Sequence, residues 1–202
     1  MKKQSILFIA TLMFICQLSV AQNLSFGPMA GVNFSTLSGT ENTKSKTGLL
    51  AGAFLNYSSK NWFGLGVQVL YNQAGASLVT PVESVNLNYL QIPILATYYF
   101  GEGNKTGSFR PKLFAGPHVN FLLNAQNKDG NDLNPEGKFY KNSDLGLTFG
   151  GGFNYALAEK TWLNFDVRYG LGLTNIAQQG NIDIMNRGLG FTLGVSFPLG
   201  NI

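Results

Sequence analysis

Beyond Ala21, stretches of ten or more residues alternate apolar side chains with small or polar ones. A period of two over such lengths is the signature of long β-strands. The C-terminal stretch shows it most clearly. Leu189, Phe191, Leu193, Val195 and Phe197 fall on one face, and Gly188, Gly190, Thr192, Gly194 and Ser196 on the other. A second stretch sets Leu163, Phe165, Val167, Tyr169, Leu171 and Leu173 against Asn164, Asp166, Arg168, Gly170, Gly172 and Thr174. A third sets Leu145, Leu147, Phe149, Phe153 and Tyr155 against Gly146, Thr148, Gly150, Gly152 and Asn154. The pattern predicts eight strands, at about 26–37, 48–58, 62–75, 88–100, 111–125, 144–157, 161–174 and 188–198. Strands of soluble proteins usually run to about five or six residues. A tilted strand that crosses a bilayer needs about 9–11.

The face opposite the apolar one separates a soluble barrel from a membrane barrel. A soluble barrel points its apolar residues inward and carries Lys, Arg, Asp and Glu outside. Here the second face is mainly Gly, Ser, Thr, Asn and Gln, and the predicted strands hold only Lys112, Asp144, Asp166 and Arg168 among charged residues. Charged residues make up 12% of the chain, about half the share usual in soluble domains. Small polar residues suit a narrow interior, and eight strands leave room for little more than their own side chains. A bilayer requires every backbone polar group to be paired, which a closed barrel achieves. The expected fold is therefore all-β: an eight-stranded antiparallel transmembrane barrel.

The first residues read as a leader. Met1-Lys2-Lys3 is basic, Ile6 to Leu18 is mostly apolar, and Ser19-Val20-Ala21 is a small-x-small cleavage signal. The expectation is a cleavable signal peptide at 1–21 and a barrel domain at 22–202. Cys16, the sole cysteine, lies in the leader, and the large Phe14 and Ile15 before it argue against lipidation. The mature chain then has no thiol chemistry. Removing Lys2 and Lys3 takes the net charge from +4 to +2 (4 − 2). That weak, scattered excess gives no nucleic-acid footprint.

Links between strands alternate in length. Residues 38–47, 76–87, 126–143 and 175–187 are longer and polar, whereas 59–61 and 158–160 are tight; 101–110 is intermediate. Long outer loops and short periplasmic turns are the outer-membrane pattern. Tyr57, Trp62, Phe63, Tyr98, Tyr99, Phe100, Tyr155, Trp162 and Phe197 then fall at the periplasmic ends as an aromatic girdle, with Tyr71, Tyr89 and Phe121 at the other rim.

Several segments, in order, resemble the PorT-like outer-membrane β-barrel family. They are Leu65-Gly66-Val67-Gln68-Val69-Leu70-Tyr71-Asn72-Gln73-Ala74-Gly75, Tyr89-Leu90-Gln91-Ile92-Pro93-Ile94-Leu95, Ala115-Gly116-Pro117, and Arg168-Tyr169-Gly170-Leu171-Gly172-Leu173-Thr174-Asn175-Ile176. The resemblance implies a small barrel in the outer membrane of a Gram-negative cell. It also implies an acidic residue where this chain has Gln68, and another where it has Gln91. The chain departs from the porin pattern as well, because Phe197 is followed by Pro-Leu-Gly-Asn-Ile rather than closing the chain.

Candidate site residues form a lumen-facing polar cluster: Gln68, Gln91, Lys112, His118, Asp166 and Arg168. Asp166 and Arg168 share one face of a strand. They read either as the lining of a conduction path or as a compensated plug, and a filled eight-stranded interior favours the plug. Loss of Arg168 is expected to leave Asp166 unpaired. His118, the sole histidine, shares its phase with Lys112 and Asn120; nothing in the spacing gathers a nucleophile and an acid around it. One histidine also argues against a histidine-rich metal site. Gly150-Gly151-Gly152 lacks the tail and context of a phosphate loop and reads as a bend or close packing in the wall. Pro93 and Pro117 are expected to mark bulges. Asp129, Asp132 and Glu136 lack the ligand spacing of a calcium loop, so 126–143 reads as a solvated, mobile loop.

No catalytic centre, cofactor or metal is expected. The partners expected are outer-membrane lipid and an envelope or secretion protein. The function expected is that of a structural or binding membrane protein, with a narrow porin-like channel as the alternative; general porins use about 16–18 strands.

Overall fold

The computed structural model describes residues 24–39, 43–58, 62–78, 84–101, 105–178 and 183–199. The leader expected at 1–21 and the tight link at 59–61 lie outside them. The strands are β1 (Leu24–Ser38), β2 (Thr43–Lys44), β3 (Lys46–Ser58), β4 (Phe63–Leu78), β5 (Ser84–Tyr99), β6 (Phe109–Gln126), β7 (Ser143–Ala158), β8 (Thr161–Gly172) and β9 (Met185–Pro198). The two-residue β2 prolongs β3 along the edge of β4, beyond a break at Ser45. Eight full-length strands remain, each within a few residues of the sequence-based expectation.

Every pairing is antiparallel. β1 pairs with β3, each later strand pairs with the next, and β9 returns to β1. The sheet thus closes on itself. Its first and last strands meet in a ladder from Ser25–Pro198 to Ser38–Met185. Leu199 N also donates to Leu24 O at 2.8 Å, which holds the two ends of the described chain at one rim.

The apolar face of the alternation points out. Val32, Phe34, Leu65, Val67, Val69, Ile94, Leu113, Leu145, Leu147, Leu189 and Leu193 are all exposed. In water such a belt would be a severe aggregation hazard; in a bilayer it is the solvated face. Trp62, Phe63, Tyr98, Phe100, Tyr155 and Phe197 are exposed at the periplasmic rim as expected, with Trp62–Tyr98–Phe100 stacked edge to face. Two rings of the expected girdles turn inward instead. Tyr99 is buried under Arg110, whose guanidinium lies 4.7 Å from the ring centre. Tyr89 is buried by a bulge: Asn88 pairs with Asn124 but Tyr89 with Leu122, so Leu123 is skipped.

The prolines behave differently from expectation. From Tyr89–Leu122 to Tyr99–Lys112 the β5–β6 ladder keeps one register through Pro93, losing pairs only at Ile94 and Leu95, opposite Pro117 and Gly116. A missing donor there interrupts the ladder without inserting a residue.

The inner face also departs from a purely polar one. Met29, Leu50, Phe54 and Leu70 pack together inside the barrel from β1, β3 and β4. At the outer end Leu37, Ala74, Ala76, Leu87, Tyr89, Ala125 and Ile176 form a second apolar cluster, with Ile176 supplied by the β8–β9 link. The strands extend beyond the span a bilayer needs, so their outer ends can build this core above it.

The β6–β7 link, expected to be a solvated loop, is largely exposed and carries internal hydrogen bonds of its own. Asn134 Oδ1 accepts from the N–H of Phe139 and of Tyr140, and its Nδ2 donates to Tyr140 O. Lys141 N donates to Ile176 O and Gln178 N to Phe139 O, which ties this link to the β8–β9 link. Tyr140 lies half-buried between them, and burial holds its phenol above the ordinary pKa range.

Candidate functional site in the barrel lumen

Gln68, Gln91, Lys112, His118, Asp166 and Arg168 are all buried inside the barrel. They do not form one cluster. Four of them meet in a layer across the lumen. Lys112 Nζ lies 2.7 Å from Asp166 Oδ1. Arg168 Nη2 lies 3.6 Å from Asp166 Oδ2, and its Nη1 donates to Gln68 Oε1 at 2.7 Å. The Arg168 guanidinium also lies 5.8 Å from the centre of the Phe114 ring. His118 stands apart, with Nδ1 2.8 Å from Thr148 Oγ1. Gln91 and His118 line the cavity on the outer side of the layer.

Register explains how these residues meet. Lys112 pairs with Gly152 on β7, and Gly152 pairs with Asp166 on β8. Lysine and aspartate are therefore two strands apart in one row, and the residue between them has no side chain. A Cβ on Gly152 would lie 2.6 Å from Asp166 Oδ1 and within bonding range of Phe165 O. The same row geometry places Phe114, Gly150 and Arg168 in line. His118 lies over Gly146, where a Cβ would come 2.5 Å from Nε2. The inward glycines of β7 are thus a floor on which Asp166, the Phe114 ring and His118 rest. The expected role of Gly150 to Gly152 as close packing holds for Gly150 and Gly152; Gly151 faces the lipid side, against Leu113.

The layer divides the interior. On its outer side lies a cavity of about 40 Å³ lined by Asn33, Asn72, Gln91, His118, Asn120 and Arg168 among others. On its periplasmic side a cavity of about 20 Å³ is lined by Gln68, Lys112, Phe114, Asn164, Asp166 and Tyr99 among others. Room for one water takes about 10–15 Å³, so each cavity holds a few waters at most. Asn33 Nδ2 donates to Asn72 Oδ1 at 2.8 Å, and Asn164 Nδ2 to Ser196 Oγ at 3.0 Å, tightening the walls further.

Buried charge in this layer is unequal. Two cations share one carboxylate, and Nε and Nη2 of Arg168 have no hydrogen-bond partner among the described residues. The amide at Gln68 gives Arg168 a hydrogen bond without the negative charge that the resemblance implies for this position. Sequence reasoning missed Asp144, which is buried beside Asn120 and accepts hydrogen bonds from Asn120 and the half-buried Asn186 at the outer end of the lumen.

The sequence profile of the family described as outer membrane protein beta-barrel domain matches residues 20–178. The chain belongs to that family. No curated protein matches it by sequence. Among solved structures it is similar to Neisserial surface protein A, at 19% identity and TM-score 0.56, over 86% of this chain and 96% of that one. It is similar to OprG of Pseudomonas aeruginosa at 15% identity and TM-score 0.53, over 86% and 93% respectively. It is also similar to outer membrane protein W of E. coli at 15% identity and TM-score 0.51, over 90% and 100%. At such identities the likeness is one of fold. Family and fold together place this eight-stranded barrel in the outer membrane, with lipid around its belt.

Proposed function

We propose that the protein is an anchored structural or binding component of the outer membrane, with its outer links as the surface that meets partners. The observation that carries this reading is the Lys112–Asp166–Arg168–Gln68 layer, which splits the lumen between two cavities of a few waters each. The apolar core around Ile176 narrows the outer mouth as well. A role in an envelope or protein-secretion assembly is supported by the segments that resemble the PorT-like family. His118 touches Thr148 and not a carboxylate, which supports a non-catalytic role.

The second reading is a narrow channel, favoured by the polar lining of the outer cavity. Single-channel recording separates the two. Residues 22–202 refolded into a planar bilayer are expected to seat as a folded, silent barrel. Reproducible unitary openings would replace the anchored reading with transport.

A further inference from the structure

The bulge that buries Tyr89 also turns two successive residues of β6 to the surface: Leu123, which is 54% exposed, and Asn124. Bulges re-aim side chains in this way and recur beside functional sites. Beyond this one the β6–β7 link leaves the strand and comes back to it. Leu133 N donates to Ala125 O and Gln126 bridges to Asp132 at one end, and Leu122 N donates to Asn142 O at the other. Between these ties lies a pocket of about 410 Å³, lined by residues 122–126 of β6 and by Asp132, Asn134, Gly137 and Asn142 of the link.

The frame of the pocket is held by its own bonds. Asn127 Oδ1 accepts from the N–H of Asp129 and of Asn131, and Asp132 Oδ1 accepts from Asn134 N. Asn134 in turn fixes the backbone at Phe139 and Tyr140. A frame set in advance lowers the cost of ordering it around a ligand. Other polar groups of the pocket are left over. The side-chain amides of Gln126 and Asn142 make no hydrogen bond to another described residue. Asn124 uses only its Oδ1, which accepts from Asn88 Nδ2 at 2.6 Å. The volume falls in the small-molecule range of about 300–1,000 Å³, but most such pockets are lined by apolar groups. Carboxamides dominate this one, so its ligand must be polar. No lysine, arginine or histidine lines it, which disfavours phosphate or sulfate, and one carboxylate is too few for a calcium cage. A carboxamide carries a donor and an acceptor side by side, and so do two neighbouring hydroxyls of a sugar ring.

We propose that the pocket between β6 and the β6–β7 link binds a neutral saccharide at the outer face. Gln126, Asn142 and the free side of Asn124 meet ring hydroxyls, Asp132 accepts from another, and Leu123 lies under the apolar C–H face of the ring. The proposal rests on the reading in which the outer links meet partners, and it names what this link would meet. A sugar of the outer-leaflet lipid and a free glycan share this chemistry.

The test is NMR of the refolded mature chain, residues 22–202, in a sugar-free detergent, with isotope-labelled side-chain amides. The probes are the methyl glycosides of glucose, galactose and mannose, lipopolysaccharide, and inorganic phosphate and choline as charged controls. Saturable shifts of the Gln126 and Asn142 amides are expected with a glycoside or with lipopolysaccharide, at a Kd of about 1 mM or tighter for the glycoside. Asn142→Leu and Gln126→Leu, which remove no bond of the fold, are each expected to weaken binding about tenfold, the effect of one lost hydrogen bond. Shifts with glycosides and lipopolysaccharide alike support recognition of the sugar itself; shifts with lipopolysaccharide alone, lost in both variants, support the sugar of the outer leaflet. No shift with any saccharide overturns the site. So does binding that survives in both variants, since the sugar then sits elsewhere. Tighter binding of phosphate or choline overturns the ligand class. A silent barrel that binds no saccharide overturns the pocket and leaves the anchored reading standing, whereas a conducting barrel that binds one does the reverse.

Discussion

Arg168 Nη1 donates to Gln68 Oε1 at 2.7 Å, joining β8 to β4 across the lumen from positions 100 residues apart. The bond fixes a guanidinium in the middle of the barrel without neutralising it. Gln68→Glu keeps the acceptor and adds the missing charge where two cations share one carboxylate. The expected result is a gain of about 1 kcal/mol, since the guanidinium exchanges a neutral acceptor for a paired, charge-assisted one. The urea midpoint of the folded barrel in micelles measures it.

Lys112 is the nearer counter-ion of Asp166, at 2.7 Å against 3.6 Å for Arg168. The sequence reading, which left Asp166 unpaired on loss of Arg168, is corrected accordingly. Lys112→Met is expected to cost about 3 kcal/mol, because it leaves the buried carboxylate with only the longer Arg168 contact. Arg168→Gln leaves that carboxylate paired and is expected to cost clearly less. Heat resistance of the folded band on electrophoresis ranks the two variants, and the reverse order would refute the pairing.

Gly151 and Gly152 are neighbours with opposite fates. A Cβ at Gly152 would run into Phe165 O and Asp166, whereas at Gly151 the closest atom is the movable end of Leu113 at 3.0 Å. Gly152→Ala should cost about 1–3 kcal/mol, the usual range for overpacking, while Gly151→Ala should be close to neutral. Unfolding midpoints of the two variants, measured side by side, check this.

Depth in the bilayer predicts a further contrast. Leu193 pairs with Ala30 near the middle of β1, whereas Phe197 pairs with Phe26 close to its periplasmic end. Leu193→Arg should cost about 2–4 kcal/mol and Phe197→Arg about 1 kcal/mol or less. Equilibrium unfolding from lipid vesicles reads the difference.

The alternation carried most of the fold because a barrel wall has one lipid side and one interior side, and a period of two encodes both. It also gave the inward phase of Lys112, His118, Asp166 and Arg168, since each lies in a regular stretch of strand. What it could not give was pairing between strands. Lys112 meets Asp166 only because Gly152 separates them in register, a relation among three strands. Tyr89 was assigned to the rim because a skipped residue, Leu123, is invisible in the β5 sequence itself. Ile176 lies in a link, where no periodicity marks it as core. Asp144 did show a signal: a lone carboxylate in phase with Asn120 on the facing strand.

The seam between β1 and β9 bears on how such a chain is made. Among the described strands, the earliest to leave the ribosome and the latest are side by side in the finished wall. Any shorter product would present two raw edges of unsatisfied amides and carbonyls to hydrocarbon, where each carries a penalty of several kcal/mol. Biogenesis cannot therefore proceed strand by strand from the N-terminus into lipid. The polypeptide must be kept assembly-competent in the aqueous compartment until its last hairpin arrives, and only then can the cylinder be sealed.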